Sequence, residues 1–196
     1  MNRSSDTPIP ALRGPVPLSH LLMHNFVHDG QYAVDATCGN GHDTLLLARL
    51  VGKSGHVWGF DIQQQALAET SRRLDEAELS QRVTLLHTGH EELLKHVAVP
   101  VHAILFNLGY CPGRDRAIIT LPETTCSALE QALQLLAPGG VVIVTIYPGH
   151  NGGSHEQAAV EGWAAGLDPQ ACHAWRMGQT NVSPTAPYLL LFQKAL

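Results

Sequence analysis

The chain has 196 residues, a net charge of −5, 44% hydrophobic residues and 15% charged ones. That length can bury a core of its own, no apolar run approaches the ~20 residues a membrane helix needs, and the negative charge argues against broad nonspecific nucleic-acid binding. The four cysteines, Cys38, Cys111, Cys126 and Cys172, form no CxxC pair, which points to reduced thiols in a cytoplasmic protein without a membrane role.

Residues 1–15 hold three prolines and no signal-like apolar stretch, so they read as a flexible arm ahead of one domain over 16–196. Leu18, Leu21, Leu22, Phe26 and Val27 then keep helical spacing over 17–28. On the same segment His20, His24 and His28 recur every four residues. Such spacing can offer two imidazoles to a metal. Apart from Asp29 beside the end of the segment, no cysteine or carboxylate joins them at that pitch, so a polar helix face is expected and no metal.

A strand over 32–36 leads into Thr37-Cys38-Gly39-Asn40-Gly41, a helix over 43–51 and a strand over 56–61 ending at Asp61. This is the layout of a nucleotide-type cofactor cradle: the glycines let backbone turn tightly against a ligand, and Asp61, 20 residues past Gly41, can accept both hydroxyls of a ribose. Thr44 stands where a dinucleotide fingerprint has its third glycine. That weakens NAD and suits S-adenosylmethionine, which brings no pyrophosphate to the helix.

Further on, the pattern predicts a helix over 64–77, a strand over 82–87, a short helix over 91–97 and a strand over 101–107. A helix over 123–136 is stopped by Pro138-Gly139-Gly140, with Thr124 and Thr125 read as an N-cap at least as readily as a substrate contact. A β-branched strand over 141–147, a helix over 155–166 and strands over 171–177 and 188–193 complete the chain. The alternation predicts an α/β fold: a Rossmann-like, doubly wound, mostly parallel seven-stranded sheet with helices on both faces and an antiparallel strand at the end. Ligands on such sheets bind at the carboxyl ends of the strands. Those ends read Thr37-Cys38-Gly39, Asp61-Ile62-Gln63, Thr88-Gly89-His90, Asn107-Leu108-Gly109-Tyr110 and Tyr147-Pro148-Gly149-His150.

Asn107-Leu108-Gly109-Tyr110 resembles the Asn-Pro-Pro-Tyr motif of amino-group methyltransferases, in which the Asn side-chain oxygen and the next carbonyl accept hydrogen bonds from the target amine and the Tyr ring stacks on the base. Leu108-Gly109 replaces the two prolines here. The plainer alternative is an Asn that closes a turn. With Asp35-Ala36-Thr37-Cys38-Gly39-Asn40-Gly41-His42-Asp43-Thr44, Phe60-Asp61-Ile62-Gln63, His90-Glu91, Pro112-Gly113, Asp115, Thr124-Thr125, Tyr147-Pro148-Gly149-His150, Gly153 and Glu156, the chain resembles a family of small class I methyltransferases labelled rRNA methylases. That family includes the bacterial tRNA 5-(aminomethyl)-2-thiouridine methyltransferase, and the similarity runs from about Leu18 to the end. Cys111 and Arg114 depart from the family pattern.

The resemblance implies methyl transfer from S-adenosylmethionine to the aminomethyl nitrogen of a modified wobble uridine, with the anticodon region of tRNA as partner. It implies that Asp61 holds the ribose, Ile62 and Gln63 flank the adenine, and Gly89 and His90 meet its edge. Backbone at Gly39, Asn40 and Gly41, with Asp35 or Asp43, would hold the methionine moiety. Asn107 and Tyr110 would be catalytic, and His150 ranks ahead of His90 and Asp115 as proton acceptor. Leu108, Asp115, Arg114, Arg116 and Tyr147 would meet the substrate, with Arg13, Lys95 and Arg176 as candidates to extend an RNA-facing surface. A homodimer is compatible with this reading. The rivals are a methyltransferase for rRNA or for a small-molecule amine, a noncatalytic binding module, and a dinucleotide oxidoreductase.

Overall fold

Seven strands make one sheet in the order β3-β2-β1-β4-β5-β7-β6, as seen in a computed structural model that describes residues 11–109, 119–149 and 152–196. The first helix, α1 (Pro15–Phe26), is followed by β1 (Tyr32–Asp35), α2 (His42–Leu50), β2 (His56–Asp61), α3 (Gln64–Glu76) and β3 (Val83–His87). A one-turn 3-10 helix at His90–Glu92 runs into α4 (Leu93–His96), then β4 (Val101–Asn107), α5 (Pro122–Leu135), β5 (Leu136–Ile146) and α6 (Gly153–Ala165). The chain closes with β6 (Cys172–Met177) and β7 (Tyr188–Lys194). The first five strands pair in parallel, while β7 pairs antiparallel with both β5 and β6. This is the mostly parallel doubly wound sheet the sequence predicts.

The core lies in two layers, one on each face. Phe60, Phe106, Leu129 and Phe192 fill the face under α4, α5 and α6, each fully buried side chain contributing on the order of 1.5–3 kcal/mol. Met23, Leu47, Leu74, Leu105, Ile143 and Leu191 fill the face under α1, α2 and α3. Central strands buried on both faces need continuous apolar runs rather than alternation, and Val141–Ile146 at the middle of the sheet is wholly buried.

Element boundaries move by one or two residues, with one larger difference. Helix α5 gives way to strand directly at Leu136, so β5 starts five residues earlier than the β-branched run suggests. Leu136 pairs with Val101, and the register then shifts so that Ala103 faces Val141. Gly139, at φ 74, supplies the left-handed step that absorbs the extra residues. Among the described residues no helix is long and apolar enough to cross a membrane.

Candidate active site

The register gathers the polar strand ends at one level. Asp35 pairs with Gly59 on one side and Leu105 on the other; two residues further on, Thr37, Asp61 and Asn107 stand side by side. Asn107 is itself paired with Thr145, which puts Tyr147 just past the end of the neighbouring strand. A cavity of about 940 Å³ opens over these ends.

Its floor is the turn after β1. Gly39 and Gly41 both adopt positive φ, 52 and 80. A Cβ on Gly41 would stand 2.7–2.9 Å from Thr70 of α3, so conformation and space both require glycine there. The Thr70 hydroxyl in turn donates to the Gly39 carbonyl at 3.0 Å. Asp61 ties two turns together, its Oδ2 accepting the Gly39 N–H and its Oδ1 the Gln63 N–H, each at 2.8 Å. Each carboxylate oxygen keeps a further lone pair for a ligand hydroxyl.

Asp35 and Asp43, the two alternatives for the methionine moiety, occupy different places. Asp35 is fully buried beneath the turn and lies outside the cavity lining. It accepts the Thr44 hydroxyl at 2.6 Å and the Thr37 N–H at 3.2 Å. Burial, with the Asp43 charge second, pushes its carboxyl up to about 7. Asp43 lines the cavity. Its Oδ2 accepts the Asn107 side-chain N–H at 2.8 Å, and its Oδ1 accepts from His20 Nε2 at 2.8 Å. The Thr37 hydroxyl also accepts the Asn107 backbone N–H at 2.7 Å, so the end of β4 is locked to the first turn.

At the far end of the cavity Ile62, Gln63, Gly89 and His90 form a second wall. His90 is 7% exposed and stacks edge-on against Phe106 with ring centroids 5.5 Å apart. Burial pushes its imidazole below the usual pKa, opposed by the Glu91 charge, the Ala36 backbone and Asp61. Nε2 of this neutral ring is buried with no hydrogen-bond partner among the described residues. A buried acceptor left open is costly until a ligand donor fills it. The exocyclic amino group of an adenine is such a donor, and Asp61 lies on the same wall for the ribose. The residues present fit an adenosine.

Gly39, Asn40, Asp43, Asp61, Ile62, Gln63, Gly89 and His90 of the expected cofactor set line the cavity, as do Leu108, Asn107 and Tyr147 of the acceptor set. Burial and, second, the Asp43 charge raise the Tyr147 phenol above its ordinary pKa. Gly41 packs against α3, beneath the lining. Tyr110, Cys111, Arg114, Asp115, Arg116 and His150 lie outside the described residues. Thr124 lines the cavity but is no N-cap: α5 starts after Leu121, and the Thr124 hydroxyl donates back to the Leu121 carbonyl at 3.1 Å.

Two residues singled out in the sequence take roles it does not assign. His20, one of the three helical histidines, turns into the site through α1, a contact 23 residues distant in sequence. Glu156, on α6 and 2% exposed, accepts the hydroxyls of Thr120 and Thr125 at 2.7 Å each. Thr120 also accepts the Gly109 N–H at 2.8 Å and returns its own N–H to the Gly109 carbonyl at 3.0 Å. Only tertiary packing brings these pairs together. Among the described residues no group of three or more histidines, cysteines and carboxylates could hold a metal ion. The described lining carries the carboxylates Asp43, Asp61 and Glu91 and the histidines His20, His42 and His90, without a lysine or arginine. Such a site favours a nucleoside cofactor and a cationic or N–H-bearing acceptor.

Known proteins share this chain's sequence pattern and fold. The family model described as "Putative rRNA methylase" matches residues 57–193. A crystal structure of a putative rRNA-methylase from Clostridium thermocellum superposes with a TM-score of 0.91 at 41% identity, covering 94% of this chain and 99% of that one. A putative methyltransferase from Streptococcus mutans solved in complex with SAH gives a TM-score of 0.85 at 33% identity, over 94% of this chain and 99% of that one. The Arabidopsis thaliana chloroplastic tRNA (mnm(5)s(2)U34)-methyltransferase is 36% identical over 188 residues, covering 90% of this chain and 68% of that protein.

Proposed function

The chain belongs to the family described as Putative rRNA methylase and is an S-adenosylmethionine-dependent methyltransferase, and from that premise we propose that its acceptor is the exocyclic aminomethyl nitrogen of 5-aminomethyl-2-thiouridine at the wobble position of tRNA. The observation that carries this reading is the Asn107 amide at the end of β4, with its NH2 group taken by Asp43 beside the cofactor wall. A carboxylate accepts only, so the amide's carbonyl oxygen is the face left for an acceptor. The identity of the Arabidopsis relative supports the choice of a wobble uridine.

When bound, the cofactor supplies an electrophilic methyl group on a sulfonium centre. The chain's own residues prepare the nucleophile. An alkylamine of the lysine type has a pKa of ~10.4, so keeping it neutral at pH 7 costs about 4–5 kcal/mol, an upper bound for a less basic ring-attached aminomethyl group. Desolvation in the cavity lowers that cost. Asn107 Oδ1 and the Leu108 carbonyl then accept the N–H bonds and leave the lone pair in line with the methyl group. Asp61 and His90 hold the adenosine. Asp43, expected from the sequence as one candidate for the methionine moiety, has its two oxygens taken by Asn107 and His20 and in this proposal serves the acceptor side, which leaves the methionine moiety to backbone at Gly39, Asn40 and Gly41. Tyr110 stacks on the base and His150 takes the proton in this proposal.

The test is methyl transfer from labelled S-adenosylmethionine to tRNA lacking the last wobble methylation, followed by mass analysis of nucleosides. A gain of one methyl on 5-aminomethyl-2-thiouridine is expected. No transfer, with cofactor binding intact by calorimetry, overturns the tRNA assignment and moves a small-molecule amine to the front, a reading that the acidic cavity favours.

A further inference from the structure

We propose that His20, on the helix preceding the sheet, is a positioning residue for the acceptor site: acting through Asp43, it fixes the Asn107 amide with its carbonyl oxygen turned to the acceptor, so that the site selects groups bearing an N–H donor. This rests on Asn107 as the acceptor contact proposed above, and does not depend on the acceptor being tRNA.

The chain of contacts is short and each link has one direction. Asn107 Nδ2 donates to Asp43 Oδ2 at 2.8 Å, and His20 Nε2 donates to Asp43 Oδ1 at 2.8 Å. A carboxylate has no proton to give at these contacts, so an inverted Asn107 amide would set its oxygen against another oxygen. Asp43 therefore fixes the polarity of the amide, provided that Asp43 itself stays put. It projects from the first turn of α2, where a side chain has several rotamers to choose from. His20 removes that choice by holding the other oxygen.

His20 is well placed for this role. Its side chain is 36% exposed, whereas that of Asp43 is 14% exposed, so the imidazole approaches from the outer side of the carboxylate. The helix that carries it is anchored by Met23 and, just past its end, by Val27, both buried in the layer beneath α1 and α2. Tyr147, also in the lining, is close enough for the Asp43 charge to act on its phenol. Without His20 the carboxylate can swing, the amide can invert, and an N–H acceptor would then meet the Asn107 NH2 group, donor against donor. Selectivity for an amine over a carbonyl or ether oxygen then depends on a residue that never touches the acceptor.

The test compares wild type with His20→Leu, His20→Gln and Asp43→Asn. The Asn107 side-chain NH2 pair is followed in 15N–1H spectra, identified by its disappearance in Asn107→Ala. His20→Leu should shift this pair towards solvent-exposed values and speed its exchange, with an unchanged thermal midpoint and cofactor Kd. His20→Gln, which offers an amide N–H at comparable reach, should restore the wild-type signal. Asp43→Asn, which lets the amide sit either way round, should lose it. With whichever amine supports turnover, His20→Leu should lower kcat about 10- to 100-fold, as for a displaced reacting group, at little cost in KM, and His20→Gln should recover most of it. An unmoved Asn107 signal in His20→Leu overturns the proposal, as does a kcat loss accompanied by an equal loss of fold or cofactor binding. A moved signal with no methylation of tRNA leaves this inference standing and removes the tRNA assignment instead.

Discussion

Asp61 and Asn107 stand level at the ends of β2 and β4, on either side of β1, yet their partners divide their work. Asp61 accepts backbone N–H groups from two turns and faces the wall that fits an adenosine. Asp61→Ala should therefore abolish cofactor binding in calorimetry. Asn107→Ala should leave the cofactor Kd within about 3-fold and lower kcat by roughly 10²–10³, the cost of losing one well-aimed hydrogen-bonding group; equal loss of binding in both would refute the division. Asp35 makes a different prediction. Its folded carboxyl sits at about 7, raised first by burial and then by Asp43, against ~3.9 in an unfolded chain. The folded state thus holds the proton more tightly, so the group costs nothing below about pH 4, a growing amount as pH rises, and its full penalty above about pH 7. Wild type should lose a few kcal/mol relative to Asp35→Asn across that window, at ~1.4 kcal/mol per unit, measured by denaturant unfolding at each pH. Parallel pH profiles would contradict the burial argument.

Between elements, Glu156 does what no local sequence signal announces. From the first turn of α6 it favours the positive end of that helix dipole, and its two oxygens hold Thr125 of α5 and Thr120 just before it. Because Thr120 also exchanges hydrogen bonds with Gly109, one buried carboxylate closes the base of the segment that carries Tyr110, Arg114 and Asp115. Glu156→Ala would leave two hydroxyls without an acceptor, at about 1–3 kcal/mol each. The expected result is a lower thermal midpoint together with a higher acceptor KM, while the cofactor Kd changes little. Glu156→Gln keeps one acceptor oxygen and should fall between. A midpoint loss with unchanged KM would show that the clip serves stability alone.

Over the whole molecule, charge limits how an RNA could be held. The net charge is −5, and many described cations already have protein partners. Lys95 pairs with Glu92, Arg72 and Arg73 with Glu69, and Lys194 donates to the carbonyls of Leu133 and Leu136 at the end of α5. Arg176 pairs with Glu161 and lies over the Tyr188 ring, and because its side chain and that of Lys95 stay more than half exposed, an RNA phosphate would compete with these acidic partners for both. If about four phosphates of a single-stranded loop are contacted, log KM for tRNA should rise with log salt at a slope of about 3, roughly 0.7 per contact, read from initial rates across a salt series. A salt-independent KM would show that phosphate contacts contribute nothing to holding the tRNA. The same scale separates what was legible in advance from what was not. Strand and helix alternation, the glycine turn and the strand-end places of Asp61 and Asn107 could be read directly because they depend on local periodicity, on backbone conformations that only glycine adopts easily, and on the rule that parallel sheets expose their carboxyl ends. The roles of His20, Glu156 and Thr120, the burial of Asp35 and the early start of β5 could not. Each rests on a pairing across tens of residues, and a one-dimensional pattern carries no record of which helix face packs against which strand end.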